Sequence, residues 1–214
     1  MSLLLLLTKQ ANFCPGFLSF PTLCTMNFFA SWTLFLDRDG TINKRLVGDY
    51  VQHWDDFEFL PGVIDAMAGL SFLFGKICVV TNQQGIGKGL MTVQQLTDIH
   101  HHMVAEITRA GGRIDGIYSC PHLAGEACNC RKPLPGLALQ AQKDYPEIDF
   151  ERSIMVGDMS SDIRFGAYLG MITVQVGSET LLDIKADYQT QSLATLLDKK
   201  NQLRLLAQSR HNRS

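Results

Sequence analysis

Long apolar runs and a dominant charge sign are both missing from this chain of 214 residues. No stretch is apolar for long enough to span a bilayer as a helix, which argues against a membrane-spanning class. Nineteen Lys and Arg stand against 21 Asp and Glu, a formal charge of -2, with a sequence pI near 6.3. Basic residues are scattered apart from a modest C-terminal group, so no electrostatic footprint for a nucleic-acid partner is present. Acidic residues are absent from Met1 to Thr25, a segment that carries Leu3 to Leu7, Cys14, Phe17, Phe20 and Cys24. No basic residue precedes those leucines and no clear small-residue cleavage site follows them. A signal peptide is therefore the weaker alternative there. Residues 1–25 read instead as an N-terminal extension, disordered, loosely packed or a misassigned start, since Met26 stands just before the first strand signal. Residues 26–214 then form one domain, long enough to bury a core.

What the chain does have is alternation. Thr33–Leu36, Ile77–Thr81, Ile114–Ser119, Ser153–Val156 and Met171–Val176 are short apolar runs of strand length. Helical patterns separate them at Val63–Phe74, Thr92–Ala110, Leu137–Tyr145 and Ser161–Leu169. Apolar strands divided by helices predict an α/β fold, a Rossmann-like three-layer sandwich around a mainly parallel sheet. Ligands in such folds bind beyond the carboxyl ends of the strands. Asp37, Thr81, Cys120 and Asp158 all stand at or just after a strand end, which points to one composite site.

Asp37 and Asp39 in Asp37-Arg38-Asp39-Gly40-Thr41 are two residues apart, so an extended backbone aims both the same way. Paired carboxylates at a buried strand end need a cation or protons. The alternative is an Asp-Gly turn after an edge strand. Asp158, in Gly157-Asp158, would share the same rim, while Ser161 or Asp162 could cap the next helix. A hard cation such as Mg²⁺ suits this oxygen set. Lys132 would add a positive charge, with Pro133 restraining its backbone. Carboxylates, the Thr81 hydroxyl, a lysine and a metal together are what phosphoryl transfer requires.

Cys120, His122, Cys128 and Cys130 form Cys-x-His-x5-Cys-x-Cys, a complete soft-donor set for a closed, structural Zn²⁺ site; reduced thiols or a disulfide are the alternative. Thiolate ligands fit a reducing cytoplasm. Gly85-Ile86-Gly87-Lys88-Gly89 is not a Walker loop, because Gly89 stands where Ser or Thr is needed and Asn82 where the first Gly belongs. Lys88 is nonetheless placed to meet a remote phosphate. His100-His101-His102 point about 100° apart on a helix and cannot converge on a metal, so they are expected to form an ordinary, mostly exposed turn. Leu193–Leu206 is expected to dock on the domain rather than lie on a membrane.

From about Thr33 to Leu197 the chain resembles the haloacid dehalogenase-like (HAD) phosphohydrolases, subfamily IIIA. Within them it is similar to the capless branch of heptose bisphosphate and histidinol phosphate phosphatases. The motifs are Asp37-Arg38-Asp39-Gly40-Thr41, Thr81-Asn82-Gln83, Cys120-Pro121-His122, Cys128-Asn129-Cys130-Arg131-Lys132-Pro133 and Gly157-Asp158. The resemblance implies that Asp37 is the nucleophile forming an aspartyl-phosphate, and that Asp39 is the general acid and then the base. It implies Mg²⁺ on Asp37, the Asp39 backbone carbonyl and Asp158, with Thr81 and Lys132 on the transferring phosphoryl group. Arg131, Asn82, Gln83, Gln84 and the Val47–Tyr50 loop would contact a small phosphorylated metabolite, in a monomeric cytoplasmic enzyme. The Gly85–Gly89 segment, Tyr50-Val51 and Lys132-Pro133-Leu134-Pro135-Gly136 look like the heptose enzymes, with Lys88 and Arg131 available for a second phosphate. This favours removal of the 7-phosphate of D-glycero-D-manno-heptose 1,7-bisphosphate. The five residues between His122 and Cys128 look more like the histidinol phosphate enzymes. A non-catalytic binding protein on this fold would be expected to lack the nucleophile, the acid or the lysine, and this chain has all three.

Overall fold

The computed structural model describes residues 27–178, 181 and 183–211; the proposed extension 1–25 lies outside them. Six strands, β1 (Thr33–Leu36), β2 (Lys76–Asn82), β3 (Gly116–Cys120), β4 (Ser153–Gly157), β5 (Ile172–Val176) and β6 (Tyr188–Thr190), form one sheet in the order β3-β2-β1-β4-β5-β6. Every pairing is parallel. The order reverses on either side of β1, so the crevice beyond its carboxyl end is the topological switch point where α/β sheets bind ligands.

Both faces of β1 are buried, and its side chains alternate between two cores. Leu34 and Leu36 pack with Met67 and Leu70 of α1 (Val63–Leu73) and with Ile99 and Met103 of α2 (Val93–Arg109). The same core takes in Leu193 and Leu196 of α5 (Leu193–Asp198) and Leu203 of α6 (Lys200–His211). Phe35 points the other way, towards Leu137 and Ala141 of α3 (Gly136–Asp144) and Phe165 of α4 (Ser160–Tyr168). The result is the expected three-layer sandwich, built by period-two alternation within a strand covered on both sides. Among the described residues, no cap domain interrupts the sequence of elements.

The strand and helix signals land within a residue or two of the observed elements. Thr92, expected within the helix, instead caps α2: its hydroxyl accepts from Gln95 N, and the Gln95 side chain accepts from Thr92 N. Three differences have local causes. The apolar start at Ile114 precedes β3 because Asp115 turns inward and its carboxylate accepts from Ile77 N. β6 is three residues long and polar, too short for a periodicity to register. The C-terminal segment breaks at Lys199 into two helices, both docked through buried leucines as expected. No helix among the described residues is long and apolar enough to cross a membrane.

Candidate active site

Asp37 follows β1 directly, and its N–H still donates to Val156 O of β4, so the strand ladder itself sets its position. Lys132 reaches it from the loop after β3. The Lys132 ammonium donates to Asp37 Oδ1 at 2.7 Å and to Val80 O at 2.7 Å, and lies 2.7 Å from Asp162 Oδ1. Three acceptors match the three donors of an ammonium, which is how so deeply buried a lysine is tolerated. Asn82 holds the lysine's backbone from both sides: its Oδ1 accepts from Lys132 N and its Nδ2 donates to Lys132 O. The Lys132–Pro133 peptide is cis.

Asp39 is held at both oxygens. Arg38 Nη2 and Asn43 Nδ2 donate to Oδ1 at 2.8 and 2.9 Å, and Gln83 Nε2 donates to Oδ2 at 2.7 Å and to Thr81 Oγ1 at 2.8 Å. Gly40, at φ 96°, turns the chain where a Cβ would lie 2.0 Å from Asp158 Oδ2; only glycine permits both the turn and that approach. Carboxylate oxygens of Asp37, Asp158 and Asp162 converge within 4.8 Å of one another.

A cleft of about 370 Å³ opens above this floor. Of the residues expected there, Asp37, Asp39, Thr81, Asn82, Gln83, Lys88, Arg131 and Lys132 line it, with Gly48, Asp49 and Tyr50. Lys88 lies over the Tyr50 ring, 5.1 Å from its centroid. Gln84 instead donates to Tyr50 Oη and accepts from Ala124 N, bracing the walls. Val47, at 95% exposure, points away to solvent.

Cys120, His122, Cys128 and Cys130 bring their ligand atoms within 4.8 Å of one another. The Cys120 and Cys130 sulfurs are 3.0 Å apart and those of Cys120 and Cys128 3.8 Å, contacts without a disulfide. Four soft donors at these separations fit one tetrahedral ion.

The HAD-hydrolase-like family profile matches residues 129–196. The D-glycero-alpha-D-manno-heptose-1,7-bisphosphate 7-phosphatase of Mycobacterium bovis is 47% identical over 133 residues, 62% of this chain and 70% of that protein. The corresponding beta enzyme of Yersinia pestis is 39% identical over 175 residues, 76% of this chain and 92% of that protein. The chain belongs to the HAD-like phosphatases. A crystal structure of D,D-heptose 1,7-bisphosphate phosphatase from B. bronchiseptica, complexed with magnesium and phosphate, has a TM-score of 0.74 at 28% identity. The match covers 80% of this chain and 99% of that one.

Sequence reasoning missed four residues that lie at or directly behind this candidate site of the phosphatase. Asp162 both accepts from Met159 N, the cap expected of it, and pairs with Lys132. Asp158 stands before the start of α4, so no helical spacing announces that the two carboxylates converge. Arg45 Nη2 donates to Asp158 Oδ1 at 2.6 Å and to the Asp39 carbonyl at 3.1 Å, a placement no local pattern announces. Arg38, in the motif itself, is fully buried. The fourth is His100: the turn is mostly exposed as expected, but His100 itself is buried against Arg38. His101 is exposed and His102 stacks on Trp54, so the three do diverge.

The oxygen set fits a hard divalent ion, because Asp37, Lys132 and Asp162 leave one buried negative charge uncompensated before Asp158 is counted. Burial pushes the Asp37 carboxyl up to about 6 against the pull of Lys132, and Asp158 up to about 7 with the Asp37 charge adding to the effect. Asp39 moves the other way. Burial raises it, but Arg38 and the hydrogen bonds from Asn43 and Gln83 outweigh that and lower it. For Lys132, burial works downward, and Asp162 and Asp37 more than reverse it.

These directions carry a pH signature. Asp37 and Asp158 have folded values above the ordinary 3.8, so both carboxyls bind protons more tightly folded than unfolded. The stabilisation this brings is complete below about pH 4 and is lost as pH rises through 6 to 7. In magnesium-free buffer the melting temperature is expected to fall between pH 5 and 8, and added Mg²⁺ to flatten that slope. An equal slope with and without Mg²⁺ would contradict the assignment of the carboxylate seat.

Proposed function

We propose that this protein is a Mg²⁺-dependent phosphomonoester hydrolase that removes the 7-phosphate of D-glycero-D-manno-heptose 1,7-bisphosphate. The observation that carries the chemistry is the Asp37 carboxylate at the switch point, with a fully satisfied lysine 2.7 Å from one oxygen. The names of the relatives carry the substrate and tip the choice away from histidinol phosphate.

Asp37 attacks the phosphorus in line, the bond to the leaving alkoxide breaks, and an aspartyl-phosphate forms. Lys132 and Thr81 stabilise the charge spread over the equatorial oxygens. Asp39 gives the proton to the leaving alcohol. Its carboxyl is held low in the free site, so the proton is taken up as the phosphate dianion arrives beside it and raises its affinity. In the second half Asp39 takes a proton from water, the hydroxide displaces Asp37, and free carboxylate and inorganic phosphate result. Mg²⁺, held by Asp37, Asp158 and the Asp39 carbonyl, would neutralise charge on the transferring group. Arg45 now donates to two of those oxygens and would turn aside. Arg131 and Lys88, on the cleft wall, suit the phosphate that stays on the sugar.

Phosphate release is measured with both anomers of the heptose bisphosphate, with heptose 1-phosphate and with histidinol phosphate, in Mg²⁺ and in chelator. The expected result is Mg²⁺-dependent release of one phosphate from a bisphosphate, leaving the 1-phosphate. Faster turnover of histidinol phosphate would sink the substrate assignment.

The four-ligand cluster we assign to structural Zn²⁺, folding the loop that presents Arg131 and Lys132. Stripping it with a zinc-selective chelator is expected to lower the melting temperature by roughly 5 °C, since one loop rather than the core is released. Activity should return with Zn²⁺ and not with Mg²⁺ alone. An unchanged melting curve in protein shown by metal analysis to be zinc-free would refute that role.

A further inference from the structure

Arg38 lies between Asp37 and Asp39 and is the largest fully buried side chain described, at 1% exposure. One guanidinium nitrogen, Nη2, donates to Asp39 Oδ1 at 2.8 Å. The other, Nη1, lies 3.2 Å from Nε2 of His100, which α2 delivers on the same face as Leu96, Ile99 and Met103. Guanidinium groups only donate, so His100 Nε2 must accept and the ring must carry its proton on Nδ1. Burial, and then the Arg38 charge, lower the His100 pKa to about 3, which keeps that lone pair available.

We infer that His100 is a positioning residue: it fixes the Arg38 guanidinium, whose bond to Oδ1 of Asp39 orients that carboxyl for proton transfer to the leaving alcohol. The inference rests on the reading of Asp39 as the acid. The physical reason is the lack of other partners. Arg38 Nε has none among the described residues, so loss of the His100 acceptor would leave a second buried guanidinium nitrogen without one. The guanidinium would rotate to find an acceptor and loosen its hold on Asp39. Asn43 and Gln83 would still hold the carboxylate, so the proton donor is misaimed rather than removed.

A misaimed acid matters only where the leaving group needs a proton. The test compares kcat/KM, which reports transfer to Asp37, for the alkyl ester heptose bisphosphate and for p-nitrophenyl phosphate, whose phenolate leaves unaided. Asp39→Asn sets the reference and should lose far more on the alkyl ester. His100→Phe is expected to lose about tenfold on the alkyl ester and less than about twofold on the aryl ester. His100→Gln, whose amide oxygen can accept, should restore the alkyl rate. Should the Phe variant not fold, His100→Asn, with its acceptor one bond too short, is expected to show the same bias. Equal losses on both esters, no loss, or a Gln variant no better than Phe would overturn the inference while leaving Asp39's role intact. Absence of bias in Asp39→Asn would overturn the acid reading itself, and the inference with it.

Discussion

Replacing Asp37 with Asn is expected to abolish turnover, by about 10⁴-fold or more, in a protein at least as stable as the original. The two halves have one cause. Asp37 is buried, and burial raises its carboxyl to about 6, so its charge is unfavourable in the folded protein. Asparagine has the same shape and no charge. Lys132 would keep Asp162 at 2.7 Å and the Val80 carbonyl. Circular dichroism melting and phosphate release measure the two effects separately, and intact-mass analysis after a rapid quench looks for the phosphoryl adduct. Substantial turnover by the Asn variant would exclude the covalent route, while a large loss of melting temperature would show that Asp37 stabilises the fold.

Lys132→Met should damage both stability and activity. Methionine fills the volume of the lysine stem but leaves Asp37 and Asp162 facing each other with no cation between them. Removing one partner of a buried ion pair costs about 3–5 kcal/mol, which in a chain of this size lowers the melting temperature by roughly 6–20 °C. Loss of a positive donor at the phosphoryl oxygens should lower kcat by about 10²–10³-fold. The variant should also recover stability in acid, where the stranded carboxylates bind protons, unlike a simple cavity mutant. Melting curves at pH 5 and pH 8 test this. Equal destabilisation at both would mean that packing, not charge, is what Lys132 supplies.

The contrast between these variants shows how sequence and structure divide the information. The end of β1 was legible because Leu34–Leu36 is apolar at every position and Gly40 soon follows it. The cluster of Cys120, His122, Cys128 and Cys130 was legible because its ligands lie within eleven consecutive positions. Asp162 was half legible, as a cap but not as the lysine's partner. His100 was not singled out, because the helical spread of the three histidines excluded only a shared metal, although its place beside Leu96, Ile99 and Met103 marks the buried face. Nothing local says that one of three adjacent histidines faces a buried arginine 62 residues away.

By itself, the order of residues determined the alternating strands and helices, the residues at each strand end and the loop that gathers Cys120, His122, Cys128 and Cys130. All of these depend on periodicity, on glycine and proline, or on short spacings. Only the tertiary structure decided which charge meets which. Lys132 meets Asp37 across 95 positions, and Arg45 meets Asp158 across 113. Those meetings depend on the register of parallel strands joined through helices, where β1 lies between β2 and β4. Charges so far apart in sequence become neighbours only when the sheet closes over its core.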